Sequence, residues 1–366
     1  MTSPLADTAW ESCLLEPLKD PALESYALRH GGIPHPTVRY FARAPWVARM
    51  LVHWLPDHGL LVELELHLAD LVGLVVSQEN SCRFCYAAVR ALLRIQGMSE
   101  ERVQRLEQQL SRAEVEPALA VAVRFTRRMS RSDPRLVADD IGALRQAGFS
   151  EVAIRDLVFT IASNVLMNRT STMPAVPPGE FERMPDLLAV RWLRPLLAGW
   201  MGRFRKPGQV TPPAASAVGP YAGLIDAYAG SPVAGLLRET LDEMWRADTL
   251  TRRCRALLFA VVARALNCAA SQAELAALLA GEGVSEAQLD EVLAHLDAPW
   301  LDPVERPLVR FARETVWYEP QRLQQRTREM AGALSAAQLT DAIGTLALAN
   351  ALCRMQLAVA AAAPPA

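Results

Sequence analysis

The chain has 366 residues, of which 51% are hydrophobic and 21% charged, and a net charge of −2. This length favours two domains, and this hydrophobic content supports a sizeable core, which excludes wholesale disorder. A dedicated nucleic-acid-binding protein is also excluded, because the chain has no basic excess with which to neutralise phosphates.

The N-terminal residues 1–19 lack the basic segment followed by an apolar segment that marks a signal peptide. The two most apolar stretches are unsuited to crossing a membrane. Residues 60–76 carry three carboxylates, and residues 346–363 include Arg354 and are only weakly apolar. We therefore expect a cytoplasmic protein without a transmembrane span.

Helix signals occur along the whole chain, whereas the alternation and the hairpin turns typical of strands are absent, so we predict an all-α fold. The apolar stretch 60–76 predicts the first clear helix, on which His67 and Asp70 share one face. A carboxylate on a buried face suggests a proton relay, with an ion-paired or capping carboxylate as the equal alternative. For His67, a hydrogen-bonded or surface position is favoured.

The segment SQENSCRFCYAAVR, residues 77–90, holds the one pattern with evident chemistry. Asn80 or Ser81 is expected to cap a helix that ends at Gly97, which places Cys82 in the first turn and Cys85 one turn along. Thiols at this spacing can approach closely enough for a disulfide, and a helix N-terminus stabilises a thiolate. Redox chemistry is therefore predicted here. The main alternative is that the two cysteines act as buried small hydrophobic residues. A zinc site is the weaker alternative, because no second ligand pair is present.

Later helices have local start and stop signals. Asp133 and Pro134 predict the start of a helix that ends at Gly148. Ser150 is expected to cap the next helix, which runs to about Asn168, and Ser285 with Gln288 predicts a capping box. Gly281-x-Gly283 follows a helix instead of a strand, and no phosphate-binding loop is present, so we predict no cofactor and no metal.

An internal repeat becomes visible when the chain is shifted by 186 residues, because several landmark residues then coincide. The pairs are Cys82 with Cys268, Gly97 with Gly283, Ser99 with Ser285, Phe125 with Phe311, Pro134 with Pro320, and Asn164 with Asn350. Repeats of this length indicate two duplicated domains.

The Pro-, Gly- and Ala-rich segment 206–218 is expected to be the linker between a first domain at 23–205 and a second at 219–360. Residues 1–22 form an extension that packs or frays, and residues 361–366 form a tail. Between the domains, residues 184–205 mix tryptophans with arginines. Packing on the domain or on a subunit partner is favoured there over contact with a membrane surface.

At this point the run LADLVGLVVSQENSCRFCYAA resembles the AhpD-like, or carboxymuconolactone decarboxylase, family. Redox-active members of that all-helical family carry an acidic residue, about a dozen residues, C-x-x-C and then a histidine four residues later. The later stretches Gly148-Phe-Ser150 and Asn164-x-x-x-Asn168-Arg169 resemble its peroxidase-related branch. The resemblance covers both repeats.

The resemblance implies a thiol-dependent oxidoreductase that reduces a hydroperoxide or a disulfide. Cys85 would be attacked by peroxide to give a sulfenic acid, Cys82 would resolve it to a disulfide, and Asp70 would stand in the place of the glutamate that shuttles protons. Val89 occupies the histidine position, which departs from the family pattern, and His67 is the possible substitute base. The resemblance further implies a dithiol reductant such as a lipoyl protein, and a homo-oligomer.

The second repeat departs further from this pattern. Ser271 stands at the second cysteine position, Leu275 at the histidine and Ala256 at the acidic residue. We therefore expect no dithiol chemistry in this repeat, and we expect Cys254, Cys268 and Cys353 to be core residues. Two alternatives to the oxidoreductase stay open: a degenerate scaffold or ligand-binding protein without catalysis, and a lactone decarboxylase that does not need the cysteines.

Overall fold

The computed structural model describes residues 5, 8–31, 37–55, 59–112, 114–183 and 219–363. Within these ranges every regular element is a helix, which confirms the all-α prediction. The first part of the chain, up to residue 183, contains these helices: α1 (Pro21–Gly31), α2 (Thr37–Tyr40), α3 (Pro45–His53), α4 (Leu66–Glu79), α5 (Arg83–Ile95), α6 (Glu100–Arg112), α7 (Pro117–Ser130), α8 (Ala138–Gln146), α9 (Glu151–Thr172) and α10 (Gly179–Arg183).

The second part of the chain begins at residue 219 in the described ranges. It contains these helices: α11 (Ala222–Ala227), α12 (Pro232–Arg246), α13 (Arg252–Ala265), α14 (Ala269–Gly281), α15 (Glu286–His295), α16 (Glu305–Trp317), α17 (Pro320–Ala331) and α18 (Ala336–Ala362). The linker 206–218 and the segment 184–205 lie outside the described residues, and so do residues 364–366 of the tail.

Corresponding helices of the two parts begin at matching positions. Helices α5 and α14 each have 13 residues and begin 186 positions apart, and α4 and α13 each have 14 residues at the same offset. The residue before each cysteine cap adopts a left-handed backbone, with φ 49° at Ser81 and 54° at Asn267. The repeat seen in the sequence is therefore a repeat of local structure.

The long helices α9 and α18 are almost entirely buried and pack against each other at the centre of the fold. Around them the contacts are reciprocal. Nε of Arg169 on α9 donates to the carbonyl of Thr315 at 2.9 Å, and Nε of Arg354 on α18 donates to the carbonyl of Met129 at 3.1 Å. Each arginine thus donates to a carbonyl of the other repeat, and the two accepting residues are 186 positions apart.

These reciprocal contacts correct the alignment of the last helix in each repeat. The side chains of Ser150 and Ser335 cap α9 and α18, and these residues are 185 positions apart, like the two arginines Arg169 and Arg354. The predicted match of Asn164 with Asn350 is therefore off by one residue. A one-residue change turns a helical position by about 100°, so the corrected alignment decides which side chains face each site.

One predicted helix begins later than expected. Residues 60–65 are not helical, and α4 begins at Leu66. The Asp156 carboxylate accepts hydrogen bonds from the backbone amides of Val62, Glu63 and Leu64 at 2.8, 2.7 and 3.0 Å, and these bonds hold that segment in a loop.

The start signal at Asp133 and Pro134 was also wrong. Helix α8 begins at Ala138, where the Asp140 carboxylate accepts the Val137 amide at 2.9 Å. The positive φ of Arg135 interrupts any helix that starts earlier. By contrast, the caps predicted at Ser150 and Ser285 are confirmed, because these signals are local.

Buried hydrophobic residues from both repeats join in one continuous core, and a smaller cluster lies between α4, α5, α6 and α7. The described part of the N-terminal extension packs on this core: Nε1 of Trp10 donates to the Val176 carbonyl at 3.0 Å. Since both repeats share the core, the boundaries 23–205 and 219–360 stay predictions. Among the described residues, one helix, α18, is long and apolar enough to span a membrane, but 89% of its apolar window is buried, consistent with the core helix of a soluble protein.

Candidate dithiol site

Cys82 and Cys85 lie at the start of α5, where a tight turn leads out of α4. Cys82 is itself the N-cap residue, one position after Ser81 and two after Asn80, where the cap was expected. Asn80 turns inward instead, and its Nδ2 donates to Oδ1 of Asn168 at 3.2 Å. Both cysteines are free thiols and both are buried, Cys82 completely and Cys85 with 7% of its surface exposed.

The last turn of α9 forms the wall opposite the two thiols. Sγ of Cys82 lies 3.8 Å from the carbonyl oxygen of Asn168, and Sγ of Cys85 lies 3.4 Å from Oγ of Ser171. The Ser171 hydroxyl also hydrogen bonds the carbonyl of Met167 one turn earlier. The end of α9 therefore provides a hydrogen-bond partner for each sulfur.

The second repeat contributes Tyr318, which follows α16 in a left-handed conformation and is buried in the first repeat's site. Its hydroxyl donates to the Asn168 carbonyl at 2.9 Å and hydrogen bonds the hydroxyl of Thr172. The guanidinium of Arg169 lies over its ring, 4.7 Å from the ring centre. The site is thus built from both repeats, although both of its cysteines belong to one.

The surroundings shift the pKa values of the two thiols in opposite directions. Burial alone would raise the pKa of Cys82, but hydrogen bonds from the Cys85 thiol, from Thr172 and from the Cys85 backbone amide lower it below the usual thiol value, and Tyr318 adds to this effect. Burial and the adjacent Cys82 sulfur raise the pKa of Cys85 well above its usual value. Cys82 is therefore the thiol that ionises first.

Two buried donors next to the site lack an acceptor within the described part of the chain: Nη2 of Arg169 and Nδ2 of Asn168. Burial lowers the pKa of Arg169 to about 10, and the charges of Tyr318 and Cys82 oppose this shift. The ion pairs found among the described residues do not include Arg169. A thiolate at Cys82 would supply the missing negative charge.

The other predicted site residues lie away from the thiols. Oδ2 of Asp70 accepts from Nε2 of Gln96, at the far end of α5 and about 20 Å along the helix from Cys82. His67 is exposed on the first turn of α4. Asp70 and His67 are thus not brought to the sulfurs, and their roles stay predictions.

Val89, at the position of the family histidine, is a packing residue between helices. Val89 is half-buried against Gly73, where a methyl group added to the glycine would lie 3.4 Å from Val89 Cγ2 and 3.0 Å from Oδ1 of Asn164. Helices α4, α5 and α9 approach closely at this point because Gly73 has no side chain. Nothing at Val89 can accept a proton from either cysteine.

The second repeat contains an arrangement that the sequence did not predict. Cys268 is the N-cap of α14, as Cys82 is of α5, and its Sγ lies 3.2 Å from Oγ of Ser271. Sγ of Cys353 on α18 lies 3.5 Å from the same oxygen. The predicted absence of dithiol chemistry in this repeat considered only the C-x-x-C positions, whereas α18 places a second thiol near Cys268. The prediction that Cys254, Cys268 and Cys353 are core residues is confirmed.

Comparison with protein-family models, with curated proteins and with solved structures finds no match to this chain. The AhpD-like resemblance thus rests on the motif residues alone. Among the described residues, no group of three or more histidine, cysteine or carboxylate side chains lies together as a metal site.

Sequence reasoning found Cys82, Cys85, Asn168 and Arg169 but missed Tyr318, Thr172 and Ser171. The last two lie directly after the Asn168-Arg169 pair on α9, so one further helical turn would have included them. Tyr318 gave no signal, because it lies 236 positions after Cys82 and comes from the other repeat.

Proposed function

We propose that the chain is a thiol-dependent oxidoreductase that reduces a small hydroperoxide through Cys82 and Cys85. The observation that carries this proposal is the placement of two free thiols within the first turn of α5, both facing the last turn of α9. The surroundings lower the pKa of Cys82 and raise that of Cys85, which agrees with a nucleophile paired with a resolving thiol. The AhpD-like resemblance supports the same chemistry.

In the first step the Cys82 thiolate attacks the distal oxygen of the hydroperoxide. A sulfur–oxygen bond forms, the oxygen–oxygen bond breaks, and the alcohol leaves after taking up the proton that Cys82 released. The unpaired Nη2 of Arg169 and Nδ2 of Asn168 are donors suited to the oxygen on which charge develops.

In the second step the Cys85 sulfur attacks the sulfenic acid on Cys82. A disulfide forms, the sulfur–oxygen bond breaks, and water leaves with the Cys85 proton. The Cys82 thiolate is one of the causes that hold the Cys85 pKa high, and it no longer exists at this stage. Oxidation of the first thiol therefore prepares the second to react.

This order of attack is the opposite of the one that the family resemblance implies, in which Cys85 reacts first. Position favours Cys82, since it is the N-cap residue with the exposed helical amides in front of it. The burial of both sulfurs favours a small oxidant over a bulky disulfide. Electrons would return from an external dithiol, for which a lipoyl protein is a candidate, and a homo-oligomer stays part of this proposal.

The test is oxidation with one equivalent of hydrogen peroxide, followed by blocking, trypsin digestion and peptide mass spectrometry. Arg83 separates the two cysteines, so they fall in different peptides, 50–83 and 84–90, and a disulfide appears as a covalent link between the two. We expect this link in the wild type. In Cys85→Ser we expect a sulfenic acid at Cys82 that a 1,3-dione traps.

The reciprocal variant Cys82→Ser decides the order of attack. We expect Cys85 in this variant to resist peroxide, because burial has the largest effect on its pKa and outweighs the hydrogen bonds from Ser171 and Asn168 that favour its thiolate. A sulfenic acid at Cys85 instead would restore the order that the resemblance implies. Two reduced thiols in oxidised wild type would refute the oxidoreductase and favour a scaffold. Lactone turnover that survives the double variant Cys82→Ser/Cys85→Ser would point to the decarboxylase.

A further inference from the structure

The second repeat contains a polar cluster around two thiols that the proposed function does not use. Cys268, Ser271 and Cys353 are buried together with Gln356. Both sulfurs contact the single hydroxyl of Ser271, at 3.2 and 3.5 Å. This shared contact brings two thiols from different helices together, as an intramolecular disulfide requires.

The corrected alignment shows why this pair escapes a motif search. At an offset of 185, Cys353 corresponds to Asn168 and Gln356 corresponds to Ser171, the residues that face the thiols of the first repeat. At an offset of 186, Cys353 falls on Met167, which has no part in the first site. The second repeat has thus moved one thiol from α14 to α18, at the position that faces the cysteine cap.

Hydrogen bonds lead from the sulfur toward the surface. The Ser271 hydroxyl donates to Oε1 of Gln356, and Nε2 of Gln356 donates to Oε1 of the half-exposed Glu274 at 3.1 Å. The other Glu274 oxygen accepts the amide of Tyr221 at 2.6 Å, which holds the carboxylate in place. The buried thiols are therefore separated from solvent by two polar side chains.

We propose that Cys268 and Cys353 form a second dithiol site, which a small hydroperoxide oxidises to an intramolecular disulfide. Cys268 attacks the distal peroxide oxygen, so that a sulfur–oxygen bond forms, the oxygen–oxygen bond breaks, and the alcohol leaves with the proton that Cys268 gave up. Cys353 then attacks the sulfenic sulfur, the disulfide forms, and water leaves with the Cys353 proton.

The electrostatics agree with these roles. Hydrogen bonds from Cys353 and from Ser271 lower the pKa of Cys268 to about 7 against the effect of burial. Burial and the Cys268 sulfur raise the pKa of Cys353 well above its usual value. Arg354 is fully buried next to Cys353, as Arg169 is in the first site.

The test is performed on the full-length chain and on the variant Cys82→Ser/Cys85→Ser, which removes the first dithiol. After treatment with hydrogen peroxide, we expect a disulfide between the tryptic peptides 265–310 and 329–354 in both proteins. Because the first site is detected as a link between other peptides, each of the two proposals can fail independently.

Two controls make the result specific. Cys13 is more exposed than Cys268, but burial raises its pKa and no other thiol contacts it among the described residues. We expect Cys268 to be oxidised at least about tenfold faster than Cys13 at pH 7, because far more of it is thiolate. The variant Cys353→Asn copies the residue of the first repeat and is expected to leave a trappable sulfenic acid at Cys268.

Reduced Cys268 and Cys353 after exposure to peroxide, or oxidation of Cys268 no faster than that of Cys13, would overturn the proposal. The assigned order of attack would be overturned if the wild type forms this disulfide but no sulfenic acid is trapped at Cys268 in Cys353→Asn. The wild-type experiment alone tests whether the disulfide forms, so the proposal can be tested even if a variant fails to fold.

Discussion

The hydroxyl of Tyr318 offers a sharp test of how the second repeat controls the first site. Tyr318→Phe keeps the ring under the Arg169 guanidinium and removes the hydroxyl that bonds Asn168 and favours the Cys82 thiolate. A hydrogen bond to a charged group contributes about 1.5 to 3 kcal/mol. Since the hydroxyl has one proton and also serves the Asn168 carbonyl at 2.9 Å, its effect on the thiolate lies at or below the lower end of this range, and its removal raises the Cys82 pKa.

The assay is the rate of alkylation of Cys82 as a function of pH, with the peptide 50–83 quantified separately from the Cys85 peptide 84–90. The inflection of the rate marks the pKa, and we expect it to move upward in Tyr318→Phe. The buried sulfur reacts only after local opening of the structure, which lowers the absolute rate. The pH of the inflection is still set by the pKa of the thiol.

A second readout follows from linkage between ionisation and folding. The pKa of Cys82 is lower in the folded than in the unfolded chain, so its ionisation stabilises the fold above the unfolded thiol pKa. This contribution is lost as the pH falls through the folded pKa. The stability difference between wild type and Tyr318→Phe should therefore be larger at pH 9 than at pH 6.

The control is Tyr228→Phe, which removes another buried tyrosine hydroxyl, one that donates to the Arg155 carbonyl at 3.2 Å. We expect it to lower the free energy of unfolding by about 1 kcal/mol without moving the Cys82 inflection. An unchanged inflection in Tyr318→Phe, or an equal shift in both variants, would refute the role of the second repeat in the first site.

Two further predictions concern the packing of α18 and are measured by urea unfolding. A methyl group in Gly344→Ala would lie 2.9 Å from Cγ1 of Val47, so we expect a loss of about 1 to 3 kcal/mol, whereas Gly142→Ala, with open space around it on a helix, should be neutral or slightly stabilising. Asp341→Asn should cost about 3 to 5 kcal/mol, because it leaves the fully buried guanidinium of Arg255 without its only buried carboxylate among the described residues. Equal stability of Gly344→Ala and Gly142→Ala, or a cost below about 1 kcal/mol for Asp341→Asn, would contradict this account of the packing.

Local signals were enough for much of the fold. The all-α class follows from helix periodicity, and the caps at Ser150 and Ser285 follow from side chains that bond amides within their own first turn. The start of α4 could not be predicted in the same way. Its position depends on Asp156, which is about 90 residues further along the chain and holds the preceding loop.

In the candidate site, too, residues close in sequence were predicted, whereas those that depend on tertiary packing were not. The pair Cys82 and Cys85 is visible because both residues lie on one helical turn, and the Asn168-Arg169 pair was noted as part of a motif. The roles predicted for Asp70 and Val89 depend on where α4 and α5 cross, and the structure puts Asp70 at the far end of α5. Spacing in sequence therefore identified the thiols but did not identify the groups around them.

The sequence by itself determined that the chain is a helical repeat with a cysteine pair at one helix start, since these properties are set by residues a few positions apart. Only the tertiary structure decided what surrounds that pair. The packing of α9, α16 and α18 brings the Tyr318 hydroxyl to the Asn168 carbonyl next to Cys82 and Cys353 to the Ser271 hydroxyl next to Cys268. These contacts join residues far apart in the chain, and a one-residue change of alignment in the last helix hides the correspondence of the two sites from the sequence.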